Sequence, residues 1–103
     1  MAREEDNSKI PIQLAGFKEI DSSAMEIINR NIEKHCIRIA ELAEKTAALH
    51  LTMKPVHERE KSEIYDIHSK LTDGGTVYAS HVTDRNLLIA IDKALEKVIH
   101  EMD

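Results

Sequence analysis

Three cations on the first predicted helix have the spacing of a row that could bind a polyanion. Arg30, Lys34 and Arg38 follow one another at intervals of four residues, so on a helix they share one exposed face. A second basic group belongs to the last predicted helix and consists of Arg85, Lys93 and Lys97. On neighbouring helices the two groups could straddle phosphates, with binding that falls steeply with salt and reads RNA shape more than base sequence. These six residues are the predicted RNA-binding site.

An ordinary solvated helix surface would carry the same cations. Glu26 and Arg30, like Glu41 and Lys45, have the spacing of i,i+4 ion pairs, each of which stabilises a helix by about 0.2–0.5 kcal/mol. The net charge of the chain is -5, which opposes non-specific binding to nucleic acid or anionic membranes by the molecule as a whole. The residues alone leave both interpretations open.

Six histidines raise the question of a metal site. A two-residue loop at Gly74-Gly75 would place His68 opposite His81 on adjacent strands, whereas a three-residue loop would pair His68 with Ser80. Two histidines fall short of a structural zinc site, and no cysteine or carboxylate pattern in the sequence completes the set. We therefore predict no metal and no cofactor.

Motifs for catalysis are weak in the rest of the chain. The single cysteine, Cys36, has an apolar helical position, which favours a small buried hydrophobe over a nucleophile. Gly74-Gly75 precedes a strand and no GKS or GKT follows, which argues against a phosphate-binding loop. Glu63 and Asp66 would form a catalytic pair only in a cleft, which an open sheet does not readily provide. We predict that the protein is not an enzyme.

Hydrophobic alternation predicts the strands that position these residues. Period-two patterns occur at Lys9–Phe17, at Ala48–Val56 and in the segment TVYASHV that follows Gly74-Gly75. Residues 62–71 fit either a strand or a short helix, and the tight turn after them favours the strand. The charged HEREK segment before them is a predicted exposed turn.

Two segments have helical periodicity. From Ala24 to about Lys45 there is no Gly or Pro, and apolar residues recur at intervals of three and four, after capping side chains in Asp21-Ser22-Ser23. Thr83 or Asp84 is the predicted cap of the last helix. The predicted fold is α+β with the order β-α-β-β-β-α, a four-stranded mostly antiparallel sheet with both helices packed on one face.

Size and hydropathy set the organisation of the chain. With 103 residues and 42% hydrophobic content, it can build one modest core, so residues 9–103 form one predicted domain after a flexible tail at residues 1–8. No apolar run approaches the roughly 20 residues needed to cross a bilayer. We predict a cytoplasmic protein that does not interact with membranes.

Residues 65–98, YDIHSKLTDGGTVYASHVTDRNLLIAIDKALEKV, resemble the short form of the ribosome hibernation-promoting factor and ribosome-associated translation inhibitor family. The likeness rests on alternating strands around a Gly-containing hairpin, on the small-residue strand Tyr78-Ala79-Ser80, and on the helix core AID.AL.K from Ala90 to Lys97. The resemblance implies the same order of elements and a stress-related regulator that occupies the mRNA and tRNA channel of the small ribosomal subunit. Its implied partners are ribosomal RNA and ribosomal proteins, and it would inhibit translation by steric blockade.

A protein-interaction module on the same scaffold is the alternative. The acidic balance and the exposed edge of the predicted sheet suit a protein partner, and the same edge would allow a homodimer.

Overall fold

The computed structural model describes residues 10–57 and 63–103. The predicted tail at residues 1–8 and most of the predicted HEREK turn lie outside these ranges. Six elements follow in the predicted order: β1 (Ile12–Ala15), α1 (Ser22–Leu42), β2 (Ala47–His57), β3 (Glu63–Asp73), β4 (Thr76–Asp84) and α2 (Leu87–Met102). The α+β prediction is confirmed, and residues 63–71 of the ambiguous segment belong to a strand. Neither described helix is long and apolar enough to span a bilayer.

The four strands lie side by side in chain order, β1-β2-β3-β4. β1 runs parallel to β2, and the other two pairs are antiparallel. Asp73 pairs with Thr76, so the β3–β4 loop has the two residues Gly74 and Gly75. Gly74 has a φ of 63°, which suits the first central residue of a type II′ turn. This register places His68 opposite His81.

Both helices pack on one face of the sheet, as predicted. The face is apolar because alternate strand residues point to it, and the register aligns Leu49 with Leu71 and Met53 with Ile67. The helices contribute the other half of this core, with the buried residues Ile28, Ile32, Cys36, Ile39, Ala90, Ile91, Ala94, Leu95 and Val98. The other face of the sheet remains open.

Small residues hold α2 close to the sheet. Ala94 is fully buried, and its backbone carbonyl accepts a hydrogen bond from the Ser80 hydroxyl at 2.8 Å. Because that carbonyl can only accept, the Ser69 hydroxyl donates to Ser80 across the strand pair, at 2.9 Å. Within the segment Tyr78-Ala79-Ser80, Ser80 therefore has a packing role.

The structure confirms the predicted N-cap of α1 and contradicts the predicted N-cap of α2. Asp21 caps α1 as predicted, since its side chain accepts the Ala24 N–H at 3.1 Å. The predicted cap of α2 at Thr83 or Asp84 is wrong, because Asn86 accepts the Ile89 N–H at 3.1 Å. The Asp84 carboxylate instead accepts the N–H of Asn86, which orders the residues before the helix.

A carboxylate on β3 ends α1 earlier than predicted. Asp73 is 7% exposed, and its two oxygens accept the backbone N–H groups of Glu44 at 2.9 Å and Lys45 at 2.7 Å. The chain leaves the helical conformation at Ala43, whose ψ is 138°. Asp73 thus links the α1–β2 connection to the turn of the β3–β4 hairpin.

We predict that Asp73→Asn destabilises the protein by about 1–3 kcal/mol, because an amide oxygen can replace only one carboxylate oxygen and one N–H group loses its acceptor. The measurement is urea unfolding followed by circular dichroism. The control is Glu26→Gln, which alters an exposed α1 carboxylate and should change stability by no more than about 0.5 kcal/mol. Equal stability of the two variants would contradict the role assigned to Asp73.

Cys36 is buried, as predicted, at 4% exposure. Removal from water raises the pKa of its thiol to about 11, with a smaller contribution from the nearby charge of Glu33. At pH 8 about one thiol in a thousand would be ionised.

We therefore predict that iodoacetamide at pH 8 leaves Cys36 of the native protein unmodified and alkylates it fully in denaturant, since the thiolate is the reacting form. Mass spectrometry of the intact chain after timed quenching gives both rates. Rapid stoichiometric alkylation of the folded protein would show that the α1 core face opens readily.

Candidate nucleic-acid interface

The three α1 cations lie in one exposed row on the side of the helix away from its buried stripe. The Arg38 guanidinium donates to Glu41 at 3.1 Å and lies 3.8 Å from the Asp103 carboxylate. Arg30 and Lys34 have no ion-pair partner within residues 10–57 and 63–103. The row therefore includes two cations that can bind an anion without breaking an ion pair in this part of the chain.

The α2 cations lie on another side of the helix pair. The Lys93 ammonium is 3.5 Å from the Asp84 carboxylate, whose pKa is lowered first by the Asn86 backbone N–H and further by Lys93. Lys93 and Lys97 line a shallow groove beside β4, together with Ala79 and Ser80. The groove is of mixed charge, because glutamates of α2 also line it.

Polar and acidic side chains separate the two basic groups. Asn31 of α1 donates to the Asp92 carboxylate of α2 at 2.9 Å, and the same carboxylate lies 3.5 Å from His35 Nε2. The α2 side that meets α1 is thus acidic, whereas Lys93 and Lys97 lie beside β4. The six predicted residues form separate groups and not one continuous positive strip.

The remaining predicted cation, Arg85, is exposed just before α2. It borders a hollow between the starts of the two helices, where Ala24 and Ile27 of α1 face Leu88 of α2. None of the described residues forms an ion pair with Arg85 or Lys97.

The helix surface also exposes large apolar side chains. Ile27 is 53% exposed, Ile37 is 52% exposed and Ile89 is 42% exposed. These residues are interleaved with the cations and carboxylates of both helices. Such a mixed surface suits contact with protein as well as with nucleic acid.

The open face of the sheet has a clearer basic character than the helix side. The described positions of this face carry two lysines, Lys54 and Lys70, and one carboxylate, Asp66. They also carry three histidines, His50, His68 and His81. Sequence reasoning did not include this face in the site, although the alternation in β2 and β3 had already separated these residues from the apolar ones.

Two groups of described residues have the donor atoms for a metal ion. Asp66, His68 and His81 form the first, and His35, Asp92 and Glu96 form the second; within each group the donor atoms lie within 4.8 Å of one another. Asp66 supplies the carboxylate that sequence reasoning did not assign, because its contact with His81 arises only through the pairing of β3 with β4.

The chain matches no protein-family model and no curated protein. Among solved structures, the crystal structure of the Thermus thermophilus Protein Y N-terminal domain is similar over 91% of this chain and 94% of that chain, with a TM-score of 0.65 and 11% sequence identity. At this identity the likeness concerns the fold. The chain has the fold of the Protein Y N-terminal domain.

Proposed function

We propose that the protein is a cytoplasmic, non-enzymatic regulator that binds the small ribosomal subunit and inhibits translation by steric blockade. The observation that carries the proposal is the likeness to the Protein Y N-terminal domain across nearly the whole of both chains. Protein Y is a ribosome hibernation-promoting factor, and residues 65–98 resemble that family in the residues that form the hairpin and pack the last helix. Ribosomal RNA supplies the polyanion for the exposed cations.

The six predicted cations would act in two ways. Arg30, Lys34, Arg85 and Lys97 can bind phosphates directly, since no described residue forms an ion pair with them. Arg38 and Lys93 would exchange their carboxylate partners for phosphates. Exposed ion pairs contribute only about 0–1 kcal/mol to stability. Breaking them therefore costs little compared with the free energy gained when RNA releases its counterions.

The blockade needs only occupancy of the channel. The described elements form one sheet with both helices packed on it, and α2 is bonded to the sheet through Ser80 and to α1 through Asp92. A domain held together in this way presents its cations at fixed spacing, which lowers the entropic cost of binding.

A second candidate, a protein-interaction module without direct RNA contact, is favoured by two observations. Ile27, Ile37 and Ile89 are each more than two-fifths exposed on the helix surface, and apolar contacts of that kind stabilise protein interfaces. β4 also ends the sheet on one side, which offers an edge to a partner strand or to a second copy of the chain.

We predict that reversing the α1 row with Arg30→Glu, Lys34→Glu and Arg38→Glu weakens co-sedimentation with small ribosomal subunits at least tenfold. Each lost phosphate contact should lower the slope of log affinity against log salt by about one. A matched variant places the same charge change elsewhere, with Lys18→Glu, Lys54→Glu and Lys70→Glu. Loss only in the matched variant would place the contact on or near the open sheet face, and undiminished binding of the α1 variant would refute the α1 assignment.

The protein-interaction candidate makes the opposite prediction for salt and for apolar residues. A partner that stays bound in 1 M salt after ribonuclease treatment, and that is lost in an Ile27→Ser, Ile37→Ser variant, would support it. Pull-down from lysate with and without ribonuclease separates the two candidates. Under the ribosome proposal, ribonuclease and salt should each release the bound material.

A further inference from the structure

We infer that Asp66, His68 and His81 form a binding site for a divalent transition-metal ion on the open face of the sheet. The site involves none of the cations assigned to RNA binding. It stands or fails independently of the proposed function.

The backbone register brings the three residues together. Asp66 and His68 are two residues apart on β3, so their side chains point to the same face. His81 on β4 pairs directly with His68, which makes it a diagonal neighbour of Asp66. Paired strands hold these positions more firmly than a loop would, which favours a preorganised site.

The side chains already converge on the carboxylate. His81 Nε2 is hydrogen-bonded to Asp66 Oδ1, and His68 Nε2 lies 3.8 Å from Asp66 Oδ2. The two imidazole rings are stacked, with centroids 4.1 Å apart and planes 11° from parallel. One nitrogen from each ring therefore faces the same carboxylate.

Small side-chain movements would complete the coordination. Zinc bonds of about 2.0–2.2 Å place tetrahedral ligand atoms about 3.3 Å apart, whereas the donor atoms here lie within 4.8 Å of one another. Both imidazoles are 53% exposed, so their rings can rotate toward a common point. A metal at His81 Nε2 replaces the hydrogen bond between that nitrogen and Asp66, and the neutral imidazole then carries its hydrogen on Nδ1.

The donor set selects the class of metal. Two imidazole nitrogens and one carboxylate oxygen suit Zn²⁺, Ni²⁺ or Cu²⁺, whereas Ca²⁺ and Mg²⁺ prefer oxygen ligands. Three protein ligands leave at least one position for water or for an external anion. His50 lines the same hollow as His68 but is not part of the ligand group, which makes it a neighbouring control.

The second group of donor atoms is committed to the helix contact. His35 Nδ1 donates to the Asn31 carbonyl at 3.0 Å, and Asp92 accepts the Asn31 amide. With one histidine, the group of His35, Asp92 and Glu96 also offers a single nitrogen donor. It provides the second control.

The test is isothermal titration of the full chain with ZnCl₂ in a buffer that does not chelate zinc. We expect one ion per chain, released by EDTA, and a Kd raised at least tenfold by His68→Gln and by His81→Gln. His50→Gln and His35→Gln should leave the Kd within about threefold of the original. Both ligand histidines are half exposed, so the variants should fold, and circular dichroism checks that they do.

A spectroscopic measurement tests the coordination directly. Co²⁺ bound by two nitrogens and one oxygen should give visible d–d absorption that the His68→Gln, His81→Gln double variant lacks. Absence of zinc binding by the original chain would overturn the inference. Binding that survives the double variant, or that is lost only with His35→Gln or His50→Gln, would overturn it as well.

Discussion

The register of the β3–β4 hairpin is the constraint on which the other features depend. Side chains alternate between the faces of a sheet, so a slip of one residue would move the core-facing side chains of β4, such as the buried Val82, from the core to water. The two-residue loop at Gly74-Gly75 fixes the pairing of Asp73 with Thr76. That pairing aligns Ser69 with Ser80 beneath α2 and His68 with His81 on the open face. The packing of a helix and the convergence of two imidazoles thus follow from one turn.

Placing both helices on the same face divides the charges of the chain unevenly. The helix side carries cations and carboxylates in alternation, with Asp92 between the two helices and Asp103 beside Arg38. On the open face, the described positions carry two lysines and three histidines against Asp66 alone. The net charge of -5 therefore describes neither surface, and a polyanion would meet different local potentials on the two sides.

Most of the fold could be predicted from local sequence patterns. Alternation and three-four spacing predicted the order of the elements, the Asp21 cap and the burial of Cys36, because each depends on neighbours along the chain. The strand predicted for the ambiguous segment is confirmed for residues 63–71, and the signal that favoured it was the tight turn that follows. The site was less accessible to prediction. Predicting the contact of Asp66 with His81 requires the register of β3 against β4, which the sequence left open. Predicting the Asn86 cap requires knowing that the Asp84 carboxylate accepts the backbone N–H of Asn86 and does not cap the helix itself.

The spacing of the three α1 cations correctly predicted one exposed row, whereas Arg85, predicted to lie on the last helix, precedes α2. Spacing could not give the position of the α1 row relative to Lys93 and Lys97. Arg30, Lys34 and Arg38 share a face because the helix period requires it. Whether Lys93 faces α1 or β4 depends on the rotation of α2 about its axis, which the buried Ile91 and Leu95 set through tertiary packing. That rotation turns Asp92 toward α1 and leaves Lys93 beside Asp84.

The Asp73 carboxylate couples the folding of the β3–β4 hairpin to that of the end of α1. Its two hydrogen bonds reach backbone N–H groups 28 and 29 residues away in the chain, so they are present only when the strand pairing of β3 and the end of α1 are both in place. Closing a loop of this length costs conformational entropy. Neither the hairpin nor the end of α1 can make these two hydrogen bonds alone to offset that cost. Hairpin and helix end should therefore gain and lose their structure together, as one cooperative unit.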